Sequence, residues 1–500
     1  MSKGVPTMKS AILAASLLLA SVLPVEAKEV KIHGYVTNII SPTQFEIEDY
    51  RITRDLSLIL ELEKEDNDEP VQFRPEDIRV GTELEIKGDY DEKSGQLNAK
   101  SIKVFLDEYK KIKRTALIER QPLLKQDSGG WEGAFFADGQ NVRVDPLTKV
   151  LFKANRSESK AAKQRAKQQE QAREQHKDLA SRTDAVEGLE PLESLDQIGP
   201  NTFMTYEGRR QPDGSIVATR IEFVRNELEK GESKLWKELE PKVKESEFTQ
   251  GKPGELKIRN VGKFKLLPDP AVQAYVQRMG ESLVPRFQRE LAANDSTKIP
   301  FRFYVVDDKR PNAFSLANGV VVVHSSMFDV CQNEAQLAAV LGHEITHTVE
   351  KHTWRQLQYH KKKLMALRIG GAVAAGMGAY GIRDITMLVE GAVRNGYQRS
   401  LENQADREGL QNMFEAGYDP REAPNVWKEM TKHFGDQPTN LFWSSHDSNT
   451  ARRSYLMAEL RNNYSTADFS ALRKDGDEFS KIAAAAREAS KSKRRIKVKY

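Results

Sequence analysis

The stretch "AAVLGHEITHTVEKH", Ala338 to His352, places two histidines and a glutamate inside an apolar segment with helical character. His343, Glu344 and His347 form an H-E-x-x-H motif, and residues four apart share one face of a helix, so both imidazoles can bind one metal ion. Glu344 is rotated by about 100 degrees from His343 and therefore lies beside that ion. Random placement of this composition gives roughly 0.02 such motifs in 500 residues, so the motif predicts a metal site.

The residues before the motif predict the helix that carries it. Asn333 is suited to cap the N-terminus, and Gln336 stands three residues later, as in a capping box. Apolar positions give the helix a buried body: Ala335, Leu337, Ala338, Val340 and Leu341. The alternative, two histidines of an ordinary core, fits poorly because that core would also have to satisfy Glu344.

A third ligand is expected downstream, because catalytic zinc takes three protein ligands and keeps one position open for water. The stretch "YQRSLENQADREG", residues 397–409, offers Glu402 as that ligand. Asp406, one turn later, is expected to accept a hydrogen bond from a ligand histidine. Two such carboxylates alone are more often solvated surface. The unmet need for a ligand favours zinc here, one ion per chain.

Four segments together resemble metallopeptidase family forty-eight, the gluzincins that include the CAAX prenyl endopeptidases and the HtpX-like and BepA-like bacterial proteases. The resemblance covers about Leu267 to Tyr464. Its segments are "PNAFSLANGVVVVHSSMFD" (311–329), "NEAQLAAVLGHEITH" (333–347), "YQRSLENQADREG" (397–409) and "SSHDSNTARR" (444–453). It implies a zinc endopeptidase in which Glu344 is general base and then general acid.

The resemblance implies further site residues. A strand that lies along the substrate comprises Asn312, Ala313 and Phe314. His446 and Arg452 match the pair that contacts the substrate carbonyl, and the histidine sometimes contacts the metal. Asp447 stands where the family usually has proline, so the geometry of that loop departs from the pattern. His324 and His352 are assigned to structure or surface.

The N-terminal residues read as a targeting segment. Residues 1–27 contain Lys9, an apolar run from Ala11 to Leu23 and a small-residue exit at Ala27, as in a secretory signal peptide. We therefore expect export to the periplasm or the outside, in soluble form after cleavage. Cys331 is the single cysteine of the chain, so no internal disulfide forms, and it is interpreted as a small buried residue.

The rest of the chain predicts a multidomain protein. Two stretches, Gly81–Val104 and Gly199–Val224, echo each other and predict two small antiparallel β-modules, OB-like in character, before an α+β, mainly helical zincin domain. The expected divisions are a signal peptide (1–27), module one (28–110), module two (111–230) with a charged helical insertion (155–183), a linker (231–263), the peptidase domain (264–465) and a helical, basic tail (466–500).

The sequence favours an exported zinc metalloendopeptidase that acts on polypeptides, with misfolded or envelope proteins as implied substrates. The alternative is a latent peptidase that works mainly as a chaperone-like binding module through its β-modules. Nucleic acid is disfavoured by export and by a net charge of only +4. Ile369–Ile382 is apolar but short for a membrane span, so membrane association is a minor alternative and is not required. The oligomeric state cannot be read from the sequence.

Overall fold

The computed structural model describes residues 28–63, 73–106, 112–127, 130–153, 189–211, 214–244, 254–369, 397–434 and 449–495. Four of the predicted features lie wholly or largely outside them: the signal peptide, the charged insertion 155–183, the apolar stretch Ile369–Ile382 and the segment with His446. Within the described residues, no helix has both the length and the apolar character needed to cross a membrane.

The first β-module is a barrel with OB-like topology. Its strands are β1 Lys28–Tyr35, β2 Asn38–Ser41, β3 Gln44–Ile47, β4 Tyr50–Thr53, β5 Leu60–Leu62, β6 Glu83–Asp91 and β7 Gln96–Phe105. β1 and β2 follow each other along the chain as two halves of one interrupted strand. β1 pairs with β6 and β2 pairs with β3, so this strand joins the two ends of the sheet. The remaining order is β3-β4-β7-β6, with β4 and β7 parallel. A five-stranded Greek-key barrel of this kind is the OB architecture.

The second β-module repeats this topology. Its strands are β8 Ile112–Ile118, β9 Leu123–Asp127, β10 Gly130–Ala137, β11 Gln140–Val144, β12 Lys149–Lys153, β13 Leu189–Pro191, β14 Thr202–Arg210 and β15 Ile216–Arg225. The order β10-β8-β14-β15-β11 closes through the β10–β11 pair, and β11 runs parallel to β15 as β4 does to β7. The modules are therefore mixed rather than purely antiparallel: β7 runs parallel to β4 and β5, and β15 runs parallel to β11 and β12.

The echo in the sequence corresponds to matching hairpins, β6–β7 and β14–β15. Each hairpin has a register shift at a glycine, Gly88 in the first barrel and Gly208 in the second. A Cβ atom at Gly88 would lie 2.1 Å from the carbonyl oxygen of Asn98, and one at Gly208 would lie 2.4 Å from that of Val217. Only glycine permits this close approach of the paired strands. The prediction of two related β-modules is confirmed.

The stretch predicted as a linker is folded over most of its length. It contains helix α1, Lys230–Glu238, and a three-stranded sheet of β16 Lys242–Lys244, β17 Glu255–Ile258 and β18 Gly262–Lys265. Leu256 and Ile258 are buried in a cluster with strand residues of the peptidase domain. The polar composition hid this sheet, because its short strands bury few side chains: β16 is exposed throughout, and of the three strands only β17 has buried residues, Leu256 and Ile258.

The C-terminal region is mainly helical, as predicted. Its helices are α2 Pro270–Leu283, α3 Arg286–Glu290, α4 Met327–Val330, α5 Glu334–Val349, α6 His352–Ile369, α7 Arg399–Glu415, α8 Ala423–Phe434, α9 Asn449–Asn463 and α10 Phe479–Arg495. One sheet, in the order β19-β21-β20, joins strands Arg302–Val306, Val320–His324 and Ala313–Ser315. Asn333 caps α5 as predicted, although Gln336 bonds the backbone of Gln332 rather than completing a capping box.

The predicted tail belongs in part to the peptidase core. Phe479, Ile482, Ala483 and Ala486 of α10 are buried in the same apolar cluster as α2 and α5. Their spacing of three and four residues gives the helix an apolar stripe, and this stripe docks α10 onto the domain. Cys331 is also fully buried there, as expected, and burial raises the pKa of its thiol to about 12.

Candidate metal centre

Two helices approach closely where the metal site is built. A Cβ atom on Gly342 of α5 would lie 3.1 Å from the carbonyl oxygen of Gly409 on α7, and one on Gly409 would lie 3.1 Å from the backbone nitrogen of His343. The absence of side chains at this crossing lets the two backbones meet. The crossing sets His343 and His347 of α5 opposite Glu402 of α7.

The three predicted ligands form one buried cluster. One potential ligand atom from each of His343, His347 and Glu402 lies within 4.8 Å of the others. The Nε2 atoms of the two histidines are 3.0 Å apart, and they lie 3.3 and 3.6 Å from the two carboxylate oxygens of Glu402. Two imidazoles and one carboxylate form the donor set of a catalytic zinc site, and all three converge on one point.

His343 is oriented by a carboxylate and an arginine. Its Nδ1–H donates to Asp406 Oδ1 over 2.9 Å, which leaves Nε2 facing the cluster. Arg452 donates to both oxygens of Asp406, with Nε 3.1 Å from Oδ2, and its guanidinium lies 3.9 Å from the ring centroid of Trp427. Such a carboxylate behind a ligand histidine fixes its tautomer and raises its basicity.

The same partners control the protonation of His343. Burial disfavours its charged form, but the hydrogen bonds to Asp406 and Glu402 outweigh burial and raise the pKa of the imidazole to about 9. A metal ion must therefore displace a proton from this site, and metal binding is expected to weaken at low pH.

His347 is oriented by two other residues. Its Nδ1 lies 2.7 Å from Nδ1 of His352, and its ring stacks on Tyr397 with the centroids 4.1 Å apart. The backbone nitrogen of Tyr397 also donates to Glu402 over 3.2 Å. Burial and the nearby Arg355 hold the pKa of His352 well below its usual value, so this imidazole is neutral.

Glu344 lies beside the cluster, one residue after the first ligand. Its side chain is 1% exposed, and neither carboxylate oxygen has a hydrogen-bond partner among the described residues. Burial raises the pKa of its carboxyl to about 8; the charge of His343 and the Ser315 hydroxyl oppose this rise, and the charge of Glu402 adds to it. A buried carboxyl without a partner is costly, which is a reason to look for a water, a substrate or an ion as its partner.

The other predicted site residues are distributed as follows. Ala313 and Phe314 lie on β20, at the edge of the sheet, and Asn312 directly precedes this strand. Arg452 is bound to Asp406 and lies 3.5 Å from Glu402, so its contact with a substrate carbonyl stays a prediction. His446 lies outside the described residues.

Several residues that contact the ligands or their partners are not predicted from the sequence. His352 was assigned to structure or surface, but it is fully buried against His347. No motif marks Tyr397, which stacks on His347, Gln404, which contacts His352, or Trp427, which lies under Arg452. The position of His352, five residues after His347, follows a turn in which Lys351 has a φ of 53°. No helical spacing relates the two histidines across that turn.

Comparison with known proteins agrees with this geometry. The model of peptidase family M48 matches residues 270–460. The chain is 30% identical over 185 residues to the β-barrel assembly-enhancing protease of Escherichia coli K12, covering 35% of this chain and 36% of the relative. The Yersinia pestis protein of the same name is 30% identical over 171 residues, covering 33% and 34%.

A mitochondrial relative matches the same domain. The mitochondrial metalloendopeptidase OMA1 of Saccharomyces cerevisiae is 33% identical over 161 residues, covering 31% of this chain and 45% of the relative. The match thus spans about a third of the length of the bacterial relatives, 34% and 36%. The expected resemblance is confirmed for the C-terminal domain: residues 270–460 are a peptidase family M48 domain.

Proposed function

We propose that the protein is an exported zinc metalloendopeptidase that hydrolyses peptide bonds in proteins of the cell envelope. The observation that carries the proposal is the buried cluster of His343, His347 and Glu402 with the unpartnered carboxylate of Glu344 beside it. The N-terminal signal pattern supports export. The names of the bacterial relatives, which refer to β-barrel assembly, support envelope proteins as substrates.

The residues fit a single zinc ion. Both histidines have Nε2 turned toward the cluster, and Glu402 supplies one negative charge at the same point. A set of two imidazoles and one carboxylate suits zinc and leaves a coordination position for water. When bound, zinc would polarise the scissile carbonyl and make the attacking water more acidic.

Glu344 then carries the proton transfers. Its carboxylate accepts a proton from the attacking water and donates it to the leaving amine, which is general base and then general acid catalysis. Its place on α5 directly after His343 holds the carboxylate beside the ligand cluster without making it a ligand.

The substrate is proposed to bind as an added strand along β20. Among the described strands β20 pairs with β21 alone, so its other edge can accept main-chain hydrogen bonds from an extended polypeptide. Asn312, Ala313 and Phe314 would form this edge. The buried Oδ1 atom of Asn312 has no hydrogen-bond partner among the described residues, which supports a ligand contact there. Arg452 and His446 remain proposed contacts of the substrate carbonyl.

A latent peptidase that acts mainly as a binding module is the second candidate. The observation that favours it is the burial of the whole centre, with His343 and Glu402 each 5% exposed. A polypeptide cannot reach the ligands in this conformation. Cleavage would then require an opening of the site, and the β-barrels would supply the binding surface.

The test compares residues 28–500 with Glu344→Gln and with Glu334→Gln, a matched control at the other, buried end of the same helix. We expect wild type and control to hold one zinc ion per chain and to cleave casein. Glu344→Gln should keep its zinc and lose at least about 10²-fold in rate. Normal cleavage by Glu344→Gln would refute the mechanism. Zinc without cleavage in wild type would favour the latent form, and wild type without metal would remove the metal site.

A further inference from the structure

A chain of hydrogen bonds connects the ligand His347 to the second β-barrel. His347 Nδ1 lies 2.7 Å from His352 Nδ1, and His352 Nε2 lies 3.1 Å from Gln404 Oε1. Gln404 Nε2 donates to the main-chain carbonyl oxygen of Thr115, on strand β8, over 3.1 Å. His352 is fully buried and Gln404 is 3% exposed, so solvent does not compete for these bonds.

The directions of the two bonds made by Gln404 are fixed from the barrel end. The carbonyl of Thr115 only accepts, so the amide nitrogen of Gln404 faces the barrel and its oxygen faces His352. Arg355 Nη1, which only donates, lies 3.0 Å from the same Oε1 atom and requires the same orientation. His352 Nε2 must therefore carry a proton, because Gln404 Oε1 can only accept it.

The tautomer of His347 follows. Nδ1 of His347 and Nδ1 of His352 are 2.7 Å apart, so one of them donates to the other. With the proton of His352 on Nε2, its Nδ1 lone pair can accept from Nδ1 of His347, and this is the arrangement that leaves Nε2 of His347 without a proton and ready for a metal ion. His347 then has its lone pair on Nε2, the nitrogen that faces His343 and Glu402. The main chain of the barrel thus determines which nitrogen of His347 is available to a metal ion.

The barrel strand that ends this chain has an open edge there. Among the described strands, β8 pairs with β14 along one side, but on its other side it pairs with β10 only at Ile118. Two buried side chains of the peptidase domain occupy the free part of that edge. Gln404 donates to the Thr115 carbonyl, and Glu350 accepts from the backbone nitrogen of Leu117 over 2.8 Å. An unpaired strand edge is costly to leave buried, so this contact fixes barrel and ligand helices together.

We propose that His352 and Gln404 are positioning residues through which the second β-barrel holds His347 in its metal-binding tautomer. The barrel is then a structural part of the metal centre as well as a neighbouring domain. The inference rests on the proposed metal site, and it assigns a role to a module whose function the sequence left open.

The test measures metal binding by the full chain, without reference to proteolysis. Gln404→Leu removes the acceptor for His352 and the donor to Thr115. Its matched control is Gln411→Leu, two turns later on α7, where an equally buried glutamine donates to Glu119 Oε2 over 2.8 Å but does not contact a ligand. Zinc affinity is measured by competition with a chelator, and the visible spectrum of the cobalt-loaded protein reports the ligand geometry.

We expect Gln404→Leu to bind zinc about 10- to 100-fold more weakly than wild type and to change the cobalt spectrum. Gln411→Leu should leave both unchanged. His352→Phe should reproduce the loss, and His352→Asn should recover part of it because its side-chain oxygen can accept from His347 Nδ1. A thermal unfolding transition like that of wild type shows that each variant folds.

Two failures are distinguishable. If wild type binds no zinc, both the proposed function and this inference are refuted. If wild type binds zinc while Gln404→Leu and His352→Phe bind it equally well, the metal site stands and the positioning role is overturned. Equal losses in Gln404→Leu and Gln411→Leu would also overturn it, because they would show a general effect of loosening α7.

Discussion

The two histidines of the metal centre are held by different parts of the molecule. His343 is held inside the peptidase domain by charged groups, the carboxylate of Asp406 and the guanidinium of Arg452. His347 is held by neutral groups, His352 and Gln404, whose hydrogen bonds end on the main chain of another domain.

The difference has two physical consequences. A buried ion pair is strongly destabilised when one partner is removed, because the other charge is left without compensation. A neutral hydrogen bond costs less to break, but its geometry depends on both domains that it joins. Loss of the charged support should therefore appear mainly in stability, and loss of the neutral support mainly in metal affinity.

Asp406→Ala is expected to have the largest effect. Arg452 is 4% exposed, and the substitution leaves its guanidinium buried without the two oxygens of Asp406, although Glu402 stays 3.5 Å away. We expect the free energy of unfolding to fall by about 3–5 kcal/mol. Zinc affinity should fall as well, by about 10- to 100-fold. Chemical denaturation and chelator competition measure the two quantities.

The control for this experiment is Asp329→Ala. Asp329 pairs with Arg487 at 3.0 Å, but both side chains are substantially exposed, at 58% and 40%. An exposed pair contributes about 0–1 kcal/mol, so this variant should unfold almost as wild type does. If Asp406→Ala is no less stable than the control, the charged support is weaker than its burial implies and the contrast between the two histidines fails.

Gly409→Ala tests the close crossing of α5 and α7, on which the positions of both histidines depend. The new methyl group would meet the backbone nitrogen of His343 at 3.1 Å, so α5 and α7 must separate slightly. Alanine stabilises a helix interior by about 1 kcal/mol relative to glycine, so propensity alone predicts a more stable protein. We expect instead a loss of about 1–3 kcal/mol from overpacking, with weaker zinc binding. Thermal unfolding of the metal-free chain shows whether the substitution raises or lowers stability. A gain in stability would contradict the close crossing of α5 and α7.

The parts of the site that the sequence predicted lie on single helices. His343, His347 and Glu344 are related by helical spacing on α5, and Glu402 and Asp406 by the same spacing on α7. Periodicity carries this information within one element, so the ligand set followed from local patterns. The repeated β-hairpins were visible for a similar reason, because Gly88 and Gly208 stand at equivalent places in two copies of one pattern.

The parts that the sequence did not reveal depend on contacts between elements. His352 reaches His347 because the chain turns at Lys351. Gln404 acts through Thr115 of a barrel strand, which lies 289 positions earlier in the sequence. The sheet of β16 to β18 was missed because its few buried residues match neither a helical nor a long alternating pattern. Such features follow from packing, which a local pattern does not encode.

Glu422→Gln tests charged support at the far end of α5. Burial opposes ionisation of Glu422, but hydrogen bonds from Lys474, Asn333, Gln336 and Asn425 outweigh it and lower its pKa to about 2. Because the folded pKa lies below the ordinary value of 4.5, the ionised group stabilises the protein above about pH 4.5, and this contribution is lost as the pH falls toward 2.

We therefore expect Glu422→Gln to be less stable than wild type by about 1–2 kcal/mol near pH 7, with the difference reduced to roughly a quarter of that near pH 2.5. Denaturant unfolding of the metal-free proteins across this range measures the difference. A constant difference at all pH values would show that lost packing, and not lost charge, causes the effect.

Arg399→Met is expected to have the smallest effect, and it contrasts the two barrels. Arg399 lies on α7 within one turn of Glu402, and it bonds Tyr35 Oη and Glu83 of the first barrel. Its side chain is 36% exposed, and its loss leaves Glu83 paired with His33 at 2.7 Å, so the cost should stay below about 1 kcal/mol. Neither of these two bonds involves a predicted metal ligand, so zinc affinity should not change. If Arg399→Met weakens zinc binding as much as Gln404→Leu does, then any contact on α7 disturbs the centre, and the second barrel has no special role in holding His347.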